Sequence, residues 1–333
     1  MNGIGIVAAA ALTRATGARV AFALFAALVT GTAAAQYPAK PMKLIVTIPP
    51  GGAPDIVGRV VAQKLSAALG QPMVVENRVG SNGYIGAEIV ARSAADGYTL
   101  LLGQDSIFVI NPHLYGKAPV ELGRDLVAVA SLANNMFVLS VNPSVPVKTF
   151  QEFIDYARRA DPPLNYASAG NGSQHHLTME RLKARAGIKL VHIPYKGGVP
   201  ATLATVAGDV AVMMSGASTA PQIRAGRLRA LAVTGARPSA VLPELPMIGE
   251  FYPGFEMTNW YGLFAPAGTP EAVIARLRAE VGKLLQLPDT REKLKAAGGI
   301  EPWPTTPGEF AAVIRDDYDR YGKLVRELGA KVD

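Results

Sequence analysis

The chain lacks cysteine and carries little charge, and each absence narrows its possible functions. With no cysteine among 333 residues, disulfide bonds, cysteine-ligated metal sites and a thiol nucleophile are excluded. Charged residues make up 18% of the chain, and no stretch is rich in Lys or Arg. Nucleic-acid binding depends on such a basic cluster, so the sequence indicates no nucleic-acid partner.

Common enzyme motifs are also missing. The sequence has no G-x-x-x-x-G-K-[ST], no H-E-x-x-H, and no G-x-G-x-x-G at the start of its first predicted helix. Tyr166–Gly170 approaches the nucleophile motif G-x-S-x-G but begins with Tyr. A serine hydrolase that uses Ser168 and His176 remains an alternative, supported only by their proximity in sequence. His176 and Glu180 could contribute to a metal site, but no third ligand is suggested nearby, so we predict neither metal nor cofactor.

The first 35 residues differ from the rest of the chain. They contain Arg14 and Arg19 but no acidic residue, followed by the apolar stretch Val20–Gly31 and then small residues up to Ala35. This order is typical of a secretory signal peptide, and the apolar stretch is shorter than the about 20 residues that span a bilayer. We expect cleavage after Ala35 and a periplasmic protein that starts at Gln36, with an uncleaved anchor as the alternative. Removing the two arginines lowers the formal charge from +7 to +5.

Strand-like and helix-like segments alternate along the remaining chain. The apolar run KLIVTI, Lys43–Ile48, precedes a helical pattern over Ile56–Leu69, and Gly70 is the expected end of that helix. The further strand-like runs PMVVENR and GYTLLLG flank another helical segment. Thr149 and Glu152 have the spacing of a capping box. Alternation of this kind predicts an α/β protein with a parallel sheet covered by helices.

The middle of the chain predicts a passage into a second lobe. Leu126–Pro143 is interpreted as two strand-like pieces separated by Asn134 and Asn135, and Asn259–Pro266 as the return. Two Rossmann-like domains result. Domain 1 comprises 36–134 and 267–333, and domain 2 comprises 135–266. Loops at the ends of strands in both lobes would line a cleft between them.

Four loops that follow predicted strands have features suited to binding an anion. They are Pro49–Asp55, Ser168–His176, Tyr195–Gly198 and Ser215–Thr219, and each leads into a helix. Glycine lets backbone N–H groups approach a ligand, and a helix start presents unpaired N–H donors with a partial positive charge. Together these features form an anion site that needs no arginine.

Each loop also has a purely structural explanation. Gly51 and Gly52 are compatible with a simple turn. Asp55 and Ser173 are ordinary residues for a helix start, where an acid complements the dipole and a serine caps the chain. Lys196 is compatible with solvated surface. These alternatives stay open at the level of the residues alone.

The segments taken together resemble one known family. They are KLIVTIPPGGAPDIVGR, PMVVENRVGSNGYIGAE, DGYTLLLG, INPHLY, NYASAGNGSQHHLTMERLK, HIPYKGG, RLRALAVTG, LPELP and WYGLFAPAGTP. In this order, from about Tyr37 to the final helix, they resemble the substrate-binding proteins of tripartite tricarboxylate transporters, the Bug-type receptors. The resemblance implies a type II periplasmic binding protein, not an enzyme, that closes on a small carboxylate for uptake or sensing.

The resemblance further implies ligands, partners and site residues. Known ligands of the family include di- and tricarboxylates, acidic amino acids and aromatic acids, and the partner would be a two-component membrane permease; we expect a monomer. The residues matching the two loops that hold a carboxylate in the family are Pro50, Gly51, Gly52, Asp55, Ser168, Gly170, Gly172 and Ser173. Tyr195 and Lys196 match a PYKG segment at the cleft, and Ser106 and Ser215 complete the predicted set.

Two departures from the family pattern concern specificity. Pro54 stands where the family's loop usually has Thr, which removes a hydroxyl. Asp105 to Phe108 stand where Thr-His is common. We expect Ser106, Phe108 and Ser218 to approach the distal end of the ligand, so the ligand's identity is not predicted.

Overall fold

The structure is a computed structural model that describes residues 37–216, 219–297 and 299–329. The predicted signal peptide, residues 1–35, lies outside the described residues, as does Ser218. The chain divides into two units, Met1–Ala39 and Lys40–Asp333. All of the described strands and helices belong to the second unit.

The strands in the described part of the chain form one mixed sheet. They are β1 (Met42–Val46), β2 (Met73–Asn77), β3 (Thr99–Gln104), β4 (Leu126–Val141), β5 (Asn165–Ser168), β6 (Val191–Pro194), β7 (Val212–Gly216), β8 (Arg229–Val233), β9 (Thr258–Pro266) and β10 (Glu301–Pro302). The order across the sheet is β2-β1-β3-β9-β4-β7-β5-β6, and β8 and β10 also pair with β4.

The predicted parallel pairing is confirmed at both ends of the sheet and is wrong in the middle. β1 pairs in parallel with β2 and β3, and β5 pairs in parallel with β6 and β7. β4 and β9 are antiparallel to each other and to the strands that flank them. The reason is their role as connections, since β4 carries the chain out of the first half of the sheet and β9 brings it back.

β4 is one long strand, which corrects the prediction of two pieces. Its residues Asn134 and Asn135 stay in the ladder opposite Trp260 and Asn259, and two register shifts before them accommodate the length. From Leu126 to Met136 the strand pairs with β9, and from Phe137 onward it pairs with β7. The strand therefore belongs to both halves of the sheet.

A threonine joins three segments where β4 changes partner. Thr234 lies just after β8, and its Oγ1 accepts a hydrogen bond from the Phe137 N–H at 2.9 Å. The same hydroxyl donates to the Met257 carbonyl at 2.6 Å. The backbone of Thr234 also bonds to Phe137 and Met257, so one buried residue holds β4 against the segment that enters β9.

Eleven helices of the described residues accompany the sheet. They are α1 (Ala53–Leu69), α2 (Tyr84–Ala91), α3 (Asn111–Leu114), α4 (Phe150–Arg159), α5 (Gln174–Ala186), α6 (Gly198–Ala207), α7 (Ala220–Arg224), α8 (Ile248–Phe251), α9 (Glu271–Gln286), α10 (Pro288–Ala296) and α11 (Pro307–Leu328). A 3₁₀ turn, Ser81–Gly83, precedes α2, and a π-helical turn, Ser106–Ile110, precedes α3.

The helix boundaries follow from capping and periodicity. In α1, Val57, Val61 and Leu65 are fully buried at helical spacing, and Gly70 ends the helix in the left-handed conformation. The predicted capping box is confirmed, because Thr149 Oγ1 accepts from the Glu152 N–H while the Glu152 carboxylate accepts from the Thr149 N–H.

Candidate ligand-binding site

A cavity of about 690 Å³ opens where the strand-end loops of the two halves of the sheet meet. It is bounded on one side by the loop between β1 and α1 and on the other by the loops after β5 and β6. Side chains of β3, β4 and β9 form its floor. Its volume lies in the range of about 300–1,000 Å³ that suits small-molecule ligands.

The structure brings most of the predicted site residues to this cavity. Those that line it are Gly51, Gly52, Ser106, Gly170, Ser173, Tyr195 and Lys196. The remaining predicted residues, Pro50, Asp55, Ser168, Gly172 and Ser215, are absent from the lining, and several of them brace residues that belong to it. Pro54 and Phe137 also line the cavity, whereas Phe108 does not.

Asp55 holds the loop after β1. Its Oδ2 accepts a hydrogen bond from the Gly51 N–H at 2.9 Å, and Gly51 adopts a φ of +85° that favours glycine. The carboxylate also accepts two bonds from Arg59, at 2.9 and 3.0 Å, and one from Asn77 at 2.8 Å. Asp55 thereby orients the loop, and because it accepts the Gly51 N–H, this donor is already paired within the protein.

The charge state of Asp55 follows from these partners. Burial raises its pKa, but the hydrogen bonds from Arg59, Gly51 and Asn77 outweigh burial and leave the pKa below its ordinary value. The residue is 2% exposed and ionised at neutral pH. In the same loop, a Cβ on Gly52 would lie 2.3 Å from Ile48 Cδ1, so a larger residue there would force the Ile48 side chain to move.

A serine and two histidines hold the loop after β5. Ser168 is fully buried, and its Oγ lies 2.6 Å from His192 Nε2 and accepts from the Gly170 N–H at 3.1 Å. The Gly172 N–H donates to His176 Nδ1 at 3.2 Å, and the His176 ring stacks on His192 at 4.1 Å. Burial lowers the pKa of His192 to about 4, with His176 adding to the decrease, so the pair is neutral at pH 7.

This geometry argues against the serine hydrolase that uses Ser168 and His176. The hydroxyl of Ser168 contacts His192 instead, and the Nδ1 of His176 is occupied by a backbone N–H. Ser168 is buried and is absent from the residues that line the cavity. The sequence hid this contact because His192 lies on β6, which is brought beside β5 only by the parallel pairing.

The loops from the two sides touch each other. A Cβ on Gly197, whose φ is +113°, would lie 2.9 Å from Pro49 Cδ, so only glycine allows this close approach. Asn82 Nδ2 donates to the Gly172 carbonyl at 3.3 Å. The loops after β5 and β6 are therefore both in contact with loops of the first half of the sheet beside the cavity.

Lysine provides the formal charge of the cavity. Among the described residues that line it, Lys196 alone belongs to the charged types Lys, Arg, Asp and Glu, and its side chain is exposed. The other polar groups come from neutral side chains and from the backbone at the starts of α1, α5 and α6. Such a site attracts an anion mainly through N–H donors and helix dipoles.

The floor contains polar residues that the sequence analysis missed. Gln104, Asn135, Asn259 and Tyr261 line it, together with Gln174 at the first position of α5. Tyr261 donates to Asn135 Oδ1 at 2.9 Å. The polar residues Asn259 and Tyr261 in the otherwise apolar strand NWYGLF could have indicated a binding site, because a buried strand in the middle of a sheet otherwise carries apolar side chains.

Asp105 lies directly behind this floor. It is completely buried and accepts N–H donors from Ser106 (2.6 Å), Gln174 (2.5 Å), Asn259 (3.1 Å) and Trp260 (3.3 Å). Burial raises its pKa to about 8, with the Asp317 carboxylate adding to the increase. The sequence marked Asp105 as a departure from the family pattern but did not reveal its partners.

Ser215 plays a supporting role beside the cavity. It is fully buried and bonds to Ser140 Oγ at 2.9 Å and to Thr219 Oγ1 at 2.9 Å. Gly216 and Thr219, on either side of the undescribed residues, line the cavity. In the described part of the chain, no cluster of His, Asp and Glu is suited to hold a metal, and no helix is both long and apolar enough to cross a membrane.

The mixed sheet and the cleft at its strand ends define an α/β periplasmic binding protein fold. BugD, described as a periplasmic binding protein, superimposes with a TM-score of 0.83 at 30% identity, covering 89% of this chain and 99% of BugD. An R. palustris protein solved with adipate gives 0.85 at 32% identity, over 89% and 100% of the two chains. MatC from Rhodopseudomonas palustris with bound malate gives 0.80 at 30%, over 87% and 100%.

The chain belongs to the tripartite tricarboxylate transporter receptor family, whose model matches residues 57–330. Protein BugT of Bordetella pertussis is 36% identical over 314 residues, which cover 93% of this chain and 96% of BugT. A protein from the tcbD-tcbE intergenic region of Pseudomonas sp. strain P51 is 37% identical over 316 residues, 93% and 94% of the two chains. Membership identifies the protein as a binding protein of a transporter family and not as an enzyme.

Proposed function

We propose that this protein is a periplasmic receptor that captures a small carboxylate by closure of two lobes and delivers it for uptake. The observation that carries the proposal is the meeting of two glycine loops, each followed by a helix start, at one cavity whose described lining contains a single lysine. Relatives of the same fold were solved with adipate and with malate, which are both carboxylates. A dicarboxylate of that size would fit a cavity of about 690 Å³.

The lobes are the domains predicted from the sequence, 36–134 with 267–333 and 135–266. The change of β4 from β9 to β7 at Met136 and Phe137 supports a boundary close to residue 135. Closure would bring the helix starts of α1 and α5 onto the carboxylate, which would replace water there.

Location and partners form part of the same proposal. Residues 1–35 would direct export and be removed, after which the mature protein would work as a monomer in the periplasm. Its partner would be a two-component membrane permease of the tripartite type, since the family is named for that transporter.

A thermal-shift panel tests the proposal. Protein stripped of bound ligand is heated with mono-, di- and tricarboxylates, acidic amino acids and aromatic acids. A ligand at 100 times its Kd adds about 2.7 kcal/mol to the free energy of unfolding, which raises Tm by roughly 5 °C. No shift with any member of the panel would refute the proposal.

A pair of glycine variants localises the binding. Gly51→Val changes a residue of the cavity with a φ of +85° and open space around the added Cβ. Gly226→Val is the matched control, since Gly226 has a φ of +69°, equally open space and no part in the cavity. Both variants carry a similar backbone strain, and we expect only Gly51→Val to lose the ligand response.

A further inference from the structure

One histidine of the cavity has a ring that no described residue hydrogen-bonds. His175 is the second residue of α5, is partly exposed and lines the cavity. Neither of its ring nitrogens bonds to a described residue. The ring therefore differs from those of His176 and His192, whose nitrogens contact the Gly172 N–H and Ser168 Oγ.

The ring nitrogens of His175 are accessible beside the cavity. In the preceding residue, Gln174 Oε1 is unpaired and shielded from solvent, whereas neither unpaired nitrogen of His175 is shielded in this way. A Cβ on Gly198 would lie 3.4 Å from His175 Nε2, and Gly198 is itself a cavity residue at the first position of α6. Nε2 therefore lies between the starts of α5 and α6, where a ligand in the cavity can reach it.

An aromatic contact holds the ring without using its nitrogens. The rings of His175 and Phe137 pack edge to face, with centroids 5.0 Å apart and an angle of 72° between their planes. Phe137 is buried on β4, so it is a fixed support. Neither Phe137 nor Gly198 carries a charge, and both nitrogens of the ring stay available for a ligand.

No charged group among the described residues shifts the titration of this ring. Burial alone lowers the pKa of His175 to about 4, so the ring is neutral at pH 7. The neighbouring His176 is turned to the Gly172 N–H, and Asp105 lies behind the floor with a pKa that burial raises to about 8. The other titratable side chains of the described lining are tyrosines and Lys196, and phenols and amines ordinarily titrate near pH 10.

We propose that His175 is a ligand-binding residue whose ring hydrogen-bonds to a carboxylate in the cavity and takes up a proton as the anion binds. A neutral imidazole offers one N–H donor, and a carboxylate within about 4–6 Å favours the charged ring, which raises its pKa. This inference rests on the proposed function and adds regulation of the same site: capture of the anion becomes tighter in mild acid.

Titration calorimetry with adipate, malate, citrate and glutamate tests the inference on the wild-type protein. A ring that holds more protons in the complex than in the free protein makes binding tighter as the pH falls from 7 toward 4. At pH ~5.5, heats measured in two buffers of different ionisation enthalpy should show an uptake of about half a proton per ligand bound. Titration of the ligand itself is the same for wild type and variants, so their comparison removes it.

Variants then assign the proton to His175. His175→Gln keeps a hydrogen-bond donor but cannot titrate, so it should lose the uptake. His175→Leu also removes the donor, so its Kd at pH 7.5 should rise about tenfold and exceed that of His175→Gln. The control is His113→Gln, which changes a partly exposed histidine that bonds to the Tyr318 carbonyl and is absent from the lining; it should keep the uptake.

Equal proton uptake in the wild type and in His175→Gln would overturn the inference, as would an unchanged Kd in His175→Leu. If either variant fails to fold, the other decides, and a wild type that binds without proton uptake overturns the inference by itself while leaving the proposed function intact. An absence of binding by all of these probes would count against the proposed function, and the inference would fall with it.

Discussion

The two glycine loops beside the cavity share one backbone plan but are held by different chemistry. Each follows a parallel strand, uses a glycine with positive φ and ends at the start of a helix. The loop after β1 is braced by the ionised Asp55 and Arg59, whereas the loop after β5 is braced by neutral Ser168 and His192. The same geometry can thus be fixed by a salt bridge or by neutral groups, and the two braces should respond differently to substitution and to pH.

The largest effect is expected on the ionic side. Asp55→Ala leaves the N–H groups of Gly51 and Asn77 without their acceptor, so we expect the free energy of unfolding to fall by about 3 kcal/mol. Urea denaturation measures it. The control is Asp155→Ala, which removes an exposed carboxylate of α4 and should stay within about 0.5 kcal/mol. A similar result for both variants would show that Asp55 does not brace the loop.

A smaller effect is expected on the neutral side. Ser168→Ala removes the partner of His192 Nε2 and of the Gly170 N–H, which should lower the free energy of unfolding by about 1–2 kcal/mol. Ser144→Ala, at an exposed position, is the control. A larger loss in Ser168→Ala than in Asp55→Ala would reverse the comparison of the two braces.

Acid should separate the braces without any mutation. The pKa of His192 is lowered to about 4, so the stability of its neutral form is complete above about 6.5 and is lost as the pH falls through 4. The pKa of Asp55 is also lowered, but from an ordinary value of 3.8, so its contribution persists down to that pH and is lost below it.

Hydrogen exchange measures the difference between the loops. Between pH 7 and pH ~4.5, amides 169–173 should lose protection relative to intrinsic rates, while amides 51–56 keep it. His192→Gln retains a hydrogen-bonding side chain without a titrating ring and should reduce the acid effect, leaving the part due to His176, whose Nδ1 accepts from the Gly172 N–H. Parallel loss of protection in both loops would contradict the assignment to His192.

The smallest effect is expected from the exposed half of the ionic brace. Arg59 is 53% exposed at its side chain and donates two bonds to Asp55. Arg59→Lys keeps the positive charge but cannot donate the two guanidinium hydrogen bonds to Asp55. Because Asp55 still accepts from Gly51 and Asn77, we expect the free energy of unfolding to fall by only about 0.5 kcal/mol. Urea denaturation in low and high salt measures this change. If Arg59→Lys lowers the free energy of unfolding more than Ser168→Ala does, Arg59 stabilises the loop more than its exposure indicates.

Local patterns were sufficient to predict the end strands, the longer helices and the glycine loops, but not the short helices α3 and α8. The run KLIVTI and the apolar spacing of α1 are properties of neighbouring residues, and they predict the same elements that the structure contains. The antiparallel centre of the sheet was not predictable in this way. Asn134 and Asn135 suggest a break by their type, but the ladder with β9 satisfies their backbone groups and keeps β4 continuous.

The parts of the site that escaped prediction depend on distant contacts. The glycine loops that line the cavity come directly after strands, so their place in the sequence is enough to predict them as part of the site. Asp105 meets Asn259 across 154 residues, and Ser168 meets His192 through strand pairing. No spacing rule within one segment reports such contacts, and only the folded topology brings these residues together.

Thr234 gives the crossing strand β4 an unusual kind of hydrogen bond at the point where it changes partner. At Phe137, where β4 leaves β9 for β7, the strand N–H bonds to a hydroxyl instead of a neighbouring carbonyl. A hydroxyl rotates about a single bond and accepts from a range of directions, whereas a ladder carbonyl is fixed in the strand. At Phe137, β4 is therefore held to Thr234 by one bond to a rotatable hydroxyl and by one backbone bond, from the Thr234 N–H to the Phe137 carbonyl. Thr234→Val, which keeps the shape and removes the hydroxyl, would leave the Phe137 N–H without its acceptor.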